Sequence, residues 1–306
     1  MSARGKGLAV VTKYFRSLRG GSQPILAEAS DGLIYVVKFG NNPQGPNLLF
    51  NESAGTEVYQ ACGLSVPSWR PLFVGDSFID SNPDCWFHTA EGRQRPESGL
   101  CFGSRFLGGD GAGLWEVLPG SRFKQVSHRF SFWQAWLIDI CAEHADSRQA
   151  IFLKDGKGGF ETVFIDHGHL FGGPKGEQRQ NILASRYLDP RLYEYRDLLP
   201  QYRRDLLRPL GSIDLGRLRR RIQMVTGDWK TASSLEATER FLDRLSDTKL
   251  LHNVVDEMVS VCPGDIGPGK RKAYVERNSP ILRFGVQTAQ VGSRLIRGTS
   301  SCAACP

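Results

Sequence analysis

At 306 residues the chain is long enough for one large or two modest domains with real cores, and 40% hydrophobic with 23% charged residues is ordinary for a soluble globular protein. The formal net charge of +7 is uneven: residues 265–306 hold seven Lys or Arg against two acidic residues, which leaves a nearly neutral remainder and no strong case for a nucleic-acid-binding core. No apolar stretch approaches the roughly 20 residues of a membrane span and MSARGKGLAVV lacks the apolar region of a signal peptide, so a cytoplasmic protein is expected.

Residues 8–17, LAVVTKYFRS, read as a strand that ends at a Gly-Gly loop, Leu18 to Pro24. Ile25 to Ala29 can return as a second strand, Asp31-Gly32 is a two-residue turn, and Leu33 to Phe39 is a third strand. Two strands around Gly20-Gly21 form a flap in which backbone N–H groups can approach an anion closely. Lys38, in the apolar run IYVVKF, must reach water or an anionic partner, because burying an unpaired ammonium is costly. The alternative for it is an edge strand that points the lysine to solvent.

Asn47 to Cys62 read as a helix closed by Gly63. Leu48, Glu52, Gly55 and Tyr59 fall on one line of that helix and Glu57 on the opposite face, so Glu52 is expected inward and Glu57 outward. Leu64 to Val74 leads into a further strand, residues 76–98 read as a polar, irregular excursion, and Gly99 to Leu107 is a strand followed by glycine-rich GGDGAG.

Residues 132–171 carry the chemistry. Phe132, Trp133, Trp136, Leu137, Ile140 and Cys141 form the apolar stripe of a helix, which ends in Glu143, His144 and Asp146. Ala150 to Leu153 and Phe160 to Ile165 are β-prone runs joined by DGKGG, the composition of a tight hairpin. A chain that goes out and back in this way returns Asp146 and Asp166 to one place. Helix, Asp-bearing loop, hairpin and Asp-x-Gly is the order in which protein kinases carry their catalytic and metal-binding aspartates. Taken alone, both acids also suit turn and cap positions.

After Gly168 the pattern turns helical, over Leu192 to Leu207, Leu215 to Met224 and Leu235 to Val261. Seven cysteines, Cys62, Cys85, Cys101, Cys141, Cys262, Cys302 and Cys305, are odd in number and scattered, unlike a disulfide framework or a zinc site, and Cys302-Ala-Ala-Cys305 has no second pair to support metal or redox chemistry.

The ordered set RGGSQP, YVVKF, an Asn-Glu pair followed eleven residues after the Glu by GLSVP, then HADSRQ and IDHG, resembles the HipA-like kinases, in the compact bacterial branch without HipA's additional N-terminal domain. The resemblance covers roughly residues 7–260. It implies an α+β, two-lobed protein-kinase-like fold, with a small β-rich N-lobe over 7–104 and a larger helical C-lobe over 105–262; beyond it, residues 263–306 have little periodicity and read as a flexible basic tail open to polyanions. It also implies transfer of the γ-phosphoryl group of ATP, with Mg2+, to a protein Ser or Thr. By position, Lys38 contacts the ATP phosphates, Glu52 pairs with it, and Gly20, Gly21 and Ser22 lie in the flap above. Asp146 orients the acceptor hydroxyl and takes its proton, and Asp166 holds Mg2+.

One position departs from the kinase pattern. The Asn that usually lies five residues after the catalytic Asp and binds a second metal is Ile151 here. Gln149 is the nearest amide that could replace it, and Arg148 could stabilise phosphate charge or simply pair with a carboxylate at the helix end. The other readings are a small-molecule kinase on the same scaffold, and a nucleotide-binding pseudokinase or interaction module of toxin-antitoxin type.

Overall fold

Alternation of apolar and polar residues makes strands of the first hundred residues, and turn chemistry sets their order. The computed structural model describes residues 7–108, 113–176, 185–193 and 199–260. The expected tail over 263–306, most of the GGDGAG segment, and Cys262, Cys302 and Cys305 lie outside the described residues. β1 (Ala9–Ser17), β2 (Ile25–Ala29) and β3 (Ile34–Lys38) form an antiparallel meander. Its second turn is fixed by Asp31, whose Oδ1 accepts from the Leu33 N–H at 3.1 Å while Gly32 supplies a φ of +73°.

The helix expected after Asn47 is α1 (Leu48–Ala61). Gly63, with φ +75°, ends it: its N–H donates to the Gln60 carbonyl at 3.0 Å and that of Leu64 to Tyr59 at 2.9 Å, the two bonds of a Schellman cap. β4 (Trp69–Val74) follows. Residues 76–98, read from the sequence as irregular, contain α2 (Asp76–Ser81), a 3-10 turn at Pro83–Cys85, and a hairpin of β5 (Phe87–Thr89) and β6 (Gly92–Gln94). Each element is too short to show a period, yet Phe78, Ile79, Cys85 and Phe87 join the barrel core described next.

β7 (Gly99–Arg105) lies between β3 and β4, and the order β1-β2-β3-β7-β4 closes into a barrel through a parallel pairing of β1 with β4, Ala9 opposite Leu72 and Val10 opposite Phe73. Inside are Ala9, Val11, Ile25, Ala27, Tyr35, Val37, Leu72, Val74 and Cys101. Because β3 is flanked on both sides, Lys38 does not stand on a sheet edge.

A second apolar cluster holds the rest. β8 (Leu114–Trp115), α3 (Phe130–Cys141), β9 (Gln149–Lys154) and β10 (Phe160–Ile165) come first, with the strands in the order β10-β9-β8. The β9–β10 turn is organised by Asp155, whose Oδ1 accepts from the N–H groups of Lys157 and Gly159, each at 2.8 Å, with Gly156 and Gly158 at positive φ. α4 (Leu199–Gly211), α5 (Leu215–Gln223), α6 (Ala232–Ser246) and α7 (Thr248–Ser260) complete it.

The run expected as one helix from Leu235 to Val261 is thus two. Thr231 and Ser234 form a capping box that starts α6 earlier, and Asp247 leaves the helical conformation and accepts from the Leu250 N–H at 2.9 Å to start α7. Glu57 also differs from expectation. It is on the face opposite Glu52 but not in solvent: it accepts from Trp69 Nε1 at 2.8 Å and pairs with Arg221 of α5. No helix among the described residues is long and apolar enough to cross a membrane.

Candidate active site

Three charged side chains from separate elements meet at the join of barrel and helices. Lys38 Nζ at the end of β3 contacts Glu52 Oε1 of α1 and lies 3.0 Å from Asp166 Oδ1, just after β10. Lys38 and Glu52 are 7% and 3% exposed at their side chains and Asp166 is 25% exposed, so the lysine is enclosed and the aspartate has the open side. Burial works against the Lys38 ammonium, but the charges of Asp166 and Glu52 outweigh it and hold its pKa above the ordinary lysine value. Burial likewise opposes the Asp166 carboxylate, yet Lys38 holds it well below the usual carboxylate range. Glu52 is raised by burial and pulled back by Lys38. Removing one member of such a buried pair leaves an uncompensated charge, at about 3–5 kcal/mol.

α1 approaches the 166–170 segment unusually closely, and glycines permit it. A Cβ on Gly55 would stand 2.6 Å from both His167 Cβ and Leu170 Cδ1, and one on Gly168 would stand 2.4 Å from Leu48 Cδ1 and 2.9 Å from Glu52 Oε1. At that distance the backbone N–H groups of His167 and Gly168 donate to Glu52 at 3.1 and 3.0 Å, and Asn51 Nδ2 donates to the carbonyls of Gly168 and Leu170 at 3.0 and 2.8 Å. Asp166 itself has φ +58°, a left-handed conformation that costs a non-glycine residue about 1–2 kcal/mol.

Gln149 opens β9 opposite Ile165, the residue before Asp166, and its Nε2 donates to Asp166 Oδ2 at 2.9 Å. Ile151 pairs with Val163 inside the hairpin and is 8% exposed, on the same strand face as Gln149, so the position of the usual Asn carries a buried apolar side chain with no ligand atom to offer. Asp146 is exposed, and its Oδ1 accepts from the Ser147 N–H at 2.7 Å. Its loop is tied back by Ala145 N–H to the His169 carbonyl at 2.8 Å, and by the His144 Nδ1 against the Asp146 carbonyl. Burial keeps His144 neutral, with a pKa well below the ordinary histidine value.

Arg148 points inward. Its Nε and one terminal nitrogen donate to Asp139 at 2.9 and 2.7 Å, and the other terminal nitrogen donates to the carbonyls of Ile165 and Asp166, both at 3.1 Å. Of the two roles read from the sequence, pairing with a carboxylate near the helix end is the one this geometry presents. Asp139 in turn accepts from the Tyr59 hydroxyl at 2.7 Å. Sequence reasoning missed Asp139, although an acid within the apolar stripe of α3 was itself a sign of a buried partner.

In the Gly-rich turn, Gly20 has φ +129° and its carbonyl accepts from Gln23 N–H at 3.1 Å. Ser22 is buried, its carbonyl accepting from Asn42 Nδ2 at 2.7 Å. Gly21 packs on Gln44, since a Cβ there would lie 2.3 Å from Gln44 Nε2, and that same nitrogen lies 3.3 Å from His169 Nε2. One side chain therefore separates the turn from the segment that follows Asp166.

Among solved structures, the chain is similar to the Helicobacter pylori proinflammatory kinase CtkA, with a TM-score of 0.50 at 13% identity over 81% of this chain and 98% of that one. The fold is protein-kinase-like. It is of α+β type, with the barrel and α1 preceding the helices. Two structures of the Golgi casein kinase also align, one with Mn/ADP bound, at TM-scores of 0.46 and 0.45, identities of 10% and 11%, and coverage of 83% of this chain and 74% and 73% of those. No protein-family model and no curated protein matches the chain.

Proposed function

We propose that this chain is a HipA-like kinase of two lobes, 7–104 and 105–262, that uses ATP and Mg2+ to phosphorylate a protein Ser or Thr in the cytoplasm. The observation that carries the reading is the meeting of Lys38, Glu52 and Asp166, from three elements and up to 128 residues apart, in one partly open ionic cluster. A kinase needs this combination: a lysine for the phosphates, a glutamate to aim it, and an aspartate for the metal.

The residues present suit Mg2+. The open side of Asp166 and the amide of Gln149 are hard oxygen donors, and Mg2+ is usually held by one or two carboxylates with the rest of its shell from phosphates and water. Bound there, Mg2+ would neutralise charge on the transferring phosphates. Lys38 would then exchange its contact with Asp166 for phosphate oxygens while Glu52 keeps it aimed. The N–H groups of Gly20 and Gly21, with Ser22 beside them, would cover the phosphates. Asp146 would orient the acceptor hydroxyl and accept its proton as the acceptor oxygen bonds to the γ-phosphorus and ADP departs.

A second reading is supported by Ile151: with a buried apolar residue where the usual second metal ligand stands, the chain would be a nucleotide-binding pseudokinase. Incubation of the purified protein with γ-labelled ATP and a proteome extract separates the two. Label transfer to protein by the wild type, lost in Lys38→Met and Asp146→Asn, is the expected result. ATP binding without transfer establishes the pseudokinase, and transfer at the wild-type rate by Lys38→Met removes the site assignment.

A further inference from the structure

Resting on the kinase reading, we infer that Arg148 is a positioning residue that fixes the backbone of Asp166, through a buried chain running from Tyr59 of α1 to Asp139 of α3, to Arg148, to the main chain at 165–166. The two carbonyls that Arg148 holds belong to successive residues. In an extended strand successive carbonyls point to opposite sides, so one nitrogen 3.1 Å from both requires the chain to turn between them. The turn is made at Asp166, which departs from β10 with φ +58°. In that conformation its carboxylate faces Lys38 and Gln149, with oxygens 3.0 and 2.9 Å away. Arg148 thus acts on the metal-facing carboxylate from behind, through the main chain.

The rest of the chain makes the guanidinium a fixed template. Arg148 is 2% exposed, and Asp139 grips its planar fork with both carboxylate oxygens. Asp139 is fully buried and held by the Tyr59 hydroxyl, while the Tyr59 ring lies beneath the guanidinium at 4.9 Å and against His167 at 4.5 Å. Tyr59 and Glu52 are seven residues apart, two turns along one face of α1, so the helix that aims Lys38 also anchors the support of Asp166. A lysine could carry the charge of Arg148 but has no rigid fork with which to hold a carboxylate and two carbonyls at once.

The test is the Mg2+ dependence of ATP binding, measured by calorimetry on the full chain for wild type, Arg148→Lys and Tyr59→Phe, with ATP binding in EDTA and the melting temperature measured alongside. Loss of a group that orients a metal ligand typically weakens metal affinity about 10–100-fold, so Arg148→Lys is expected to raise the half-saturating Mg2+ concentration by that order while binding in EDTA is unchanged. Tyr59→Phe, which keeps the ring and drops only the hydroxyl, is expected to shift the curve less and in the same direction. Melting temperatures that fall while the Mg2+ curves superimpose on the wild type overturn the inference and leave the kinase reading intact. If Arg148→Lys does not fold, the Tyr59→Phe curve alone decides by the same criterion. A wild type whose ATP binding ignores Mg2+ removes the kinase reading and the positioning role with it.

Discussion

The two oxygens of Asp166 are divided between Lys38 and Gln149, and the hydrogen bond from Gln149 places an amide beside this carboxylate in a chain that has Ile151 in the usual Asn position. Gln149 reaches it from the first residue of β9, directly across from Ile165. Gln149→Ala should therefore lower turnover about tenfold or more, some 1.4 kcal/mol, and raise the Mg2+ requirement, in steady-state assays run over a range of Mg2+. A variant that loses only thermal stability would make Gln149 a structural residue. Lys38, Glu52 and Asp166 could be picked out in the sequence because each stands at the end of, or on a definite face of, a strongly patterned segment. Arg148 was legible only as an unresolved choice. Its partner Asp139 sits inside the apolar stripe of α3, and nothing in spacing shows which distant carbonyls a buried guanidinium will meet.

At the level of elements, α1 is where sequence pattern and structure agree most closely. Leu48, Glu52, Gly55 and Tyr59, one line on a helical wheel, are the residues that meet the 166–170 segment or its supports. Alanine favours a helix over glycine by about 1 kcal/mol, but at Gly55 its Cβ would meet His167 and Leu170 at 2.6 Å. Overpacking should win, and Gly55→Ala should lose about 1–3 kcal/mol in urea denaturation. A gain in stability would show that α1 can retreat from the segment. The elements that escaped the sequence, α2, the β5–β6 hairpin and the break at Asp247, share one cause. They are short or decided by a single cap, and a period needs several turns or strand residues to be seen.

For the whole molecule, β7 joins the two apolar clusters, with Cys101 in the barrel core and the neighbouring Phe102 in the core built around α1 and α3. Barrel and helices should therefore unfold together, as one calorimetric transition, and Mg-ATP at about 100 times its Kd should stabilise that transition by about 2.7 kcal/mol. Two transitions, or a shift that persists in Lys38→Met, would contradict this coupling. The closure of the barrel could not be foreseen from the sequence, because β1 and β4 pair in parallel across the intervening β2, β3 and α1, and alternation within a strand says nothing of its neighbours. The long separation of Lys38 from Asp166 also gives the site a history during synthesis. At about 5–20 residues per second the ribosome needs roughly 6–26 s to travel from the lysine to the aspartate. Through that interval the newborn chain already owns the lysine and its glutamate but lacks the aspartate that completes the cluster. The cluster is thus made in pieces and becomes complete only when the β9–β10 hairpin leaves the ribosome and folds back.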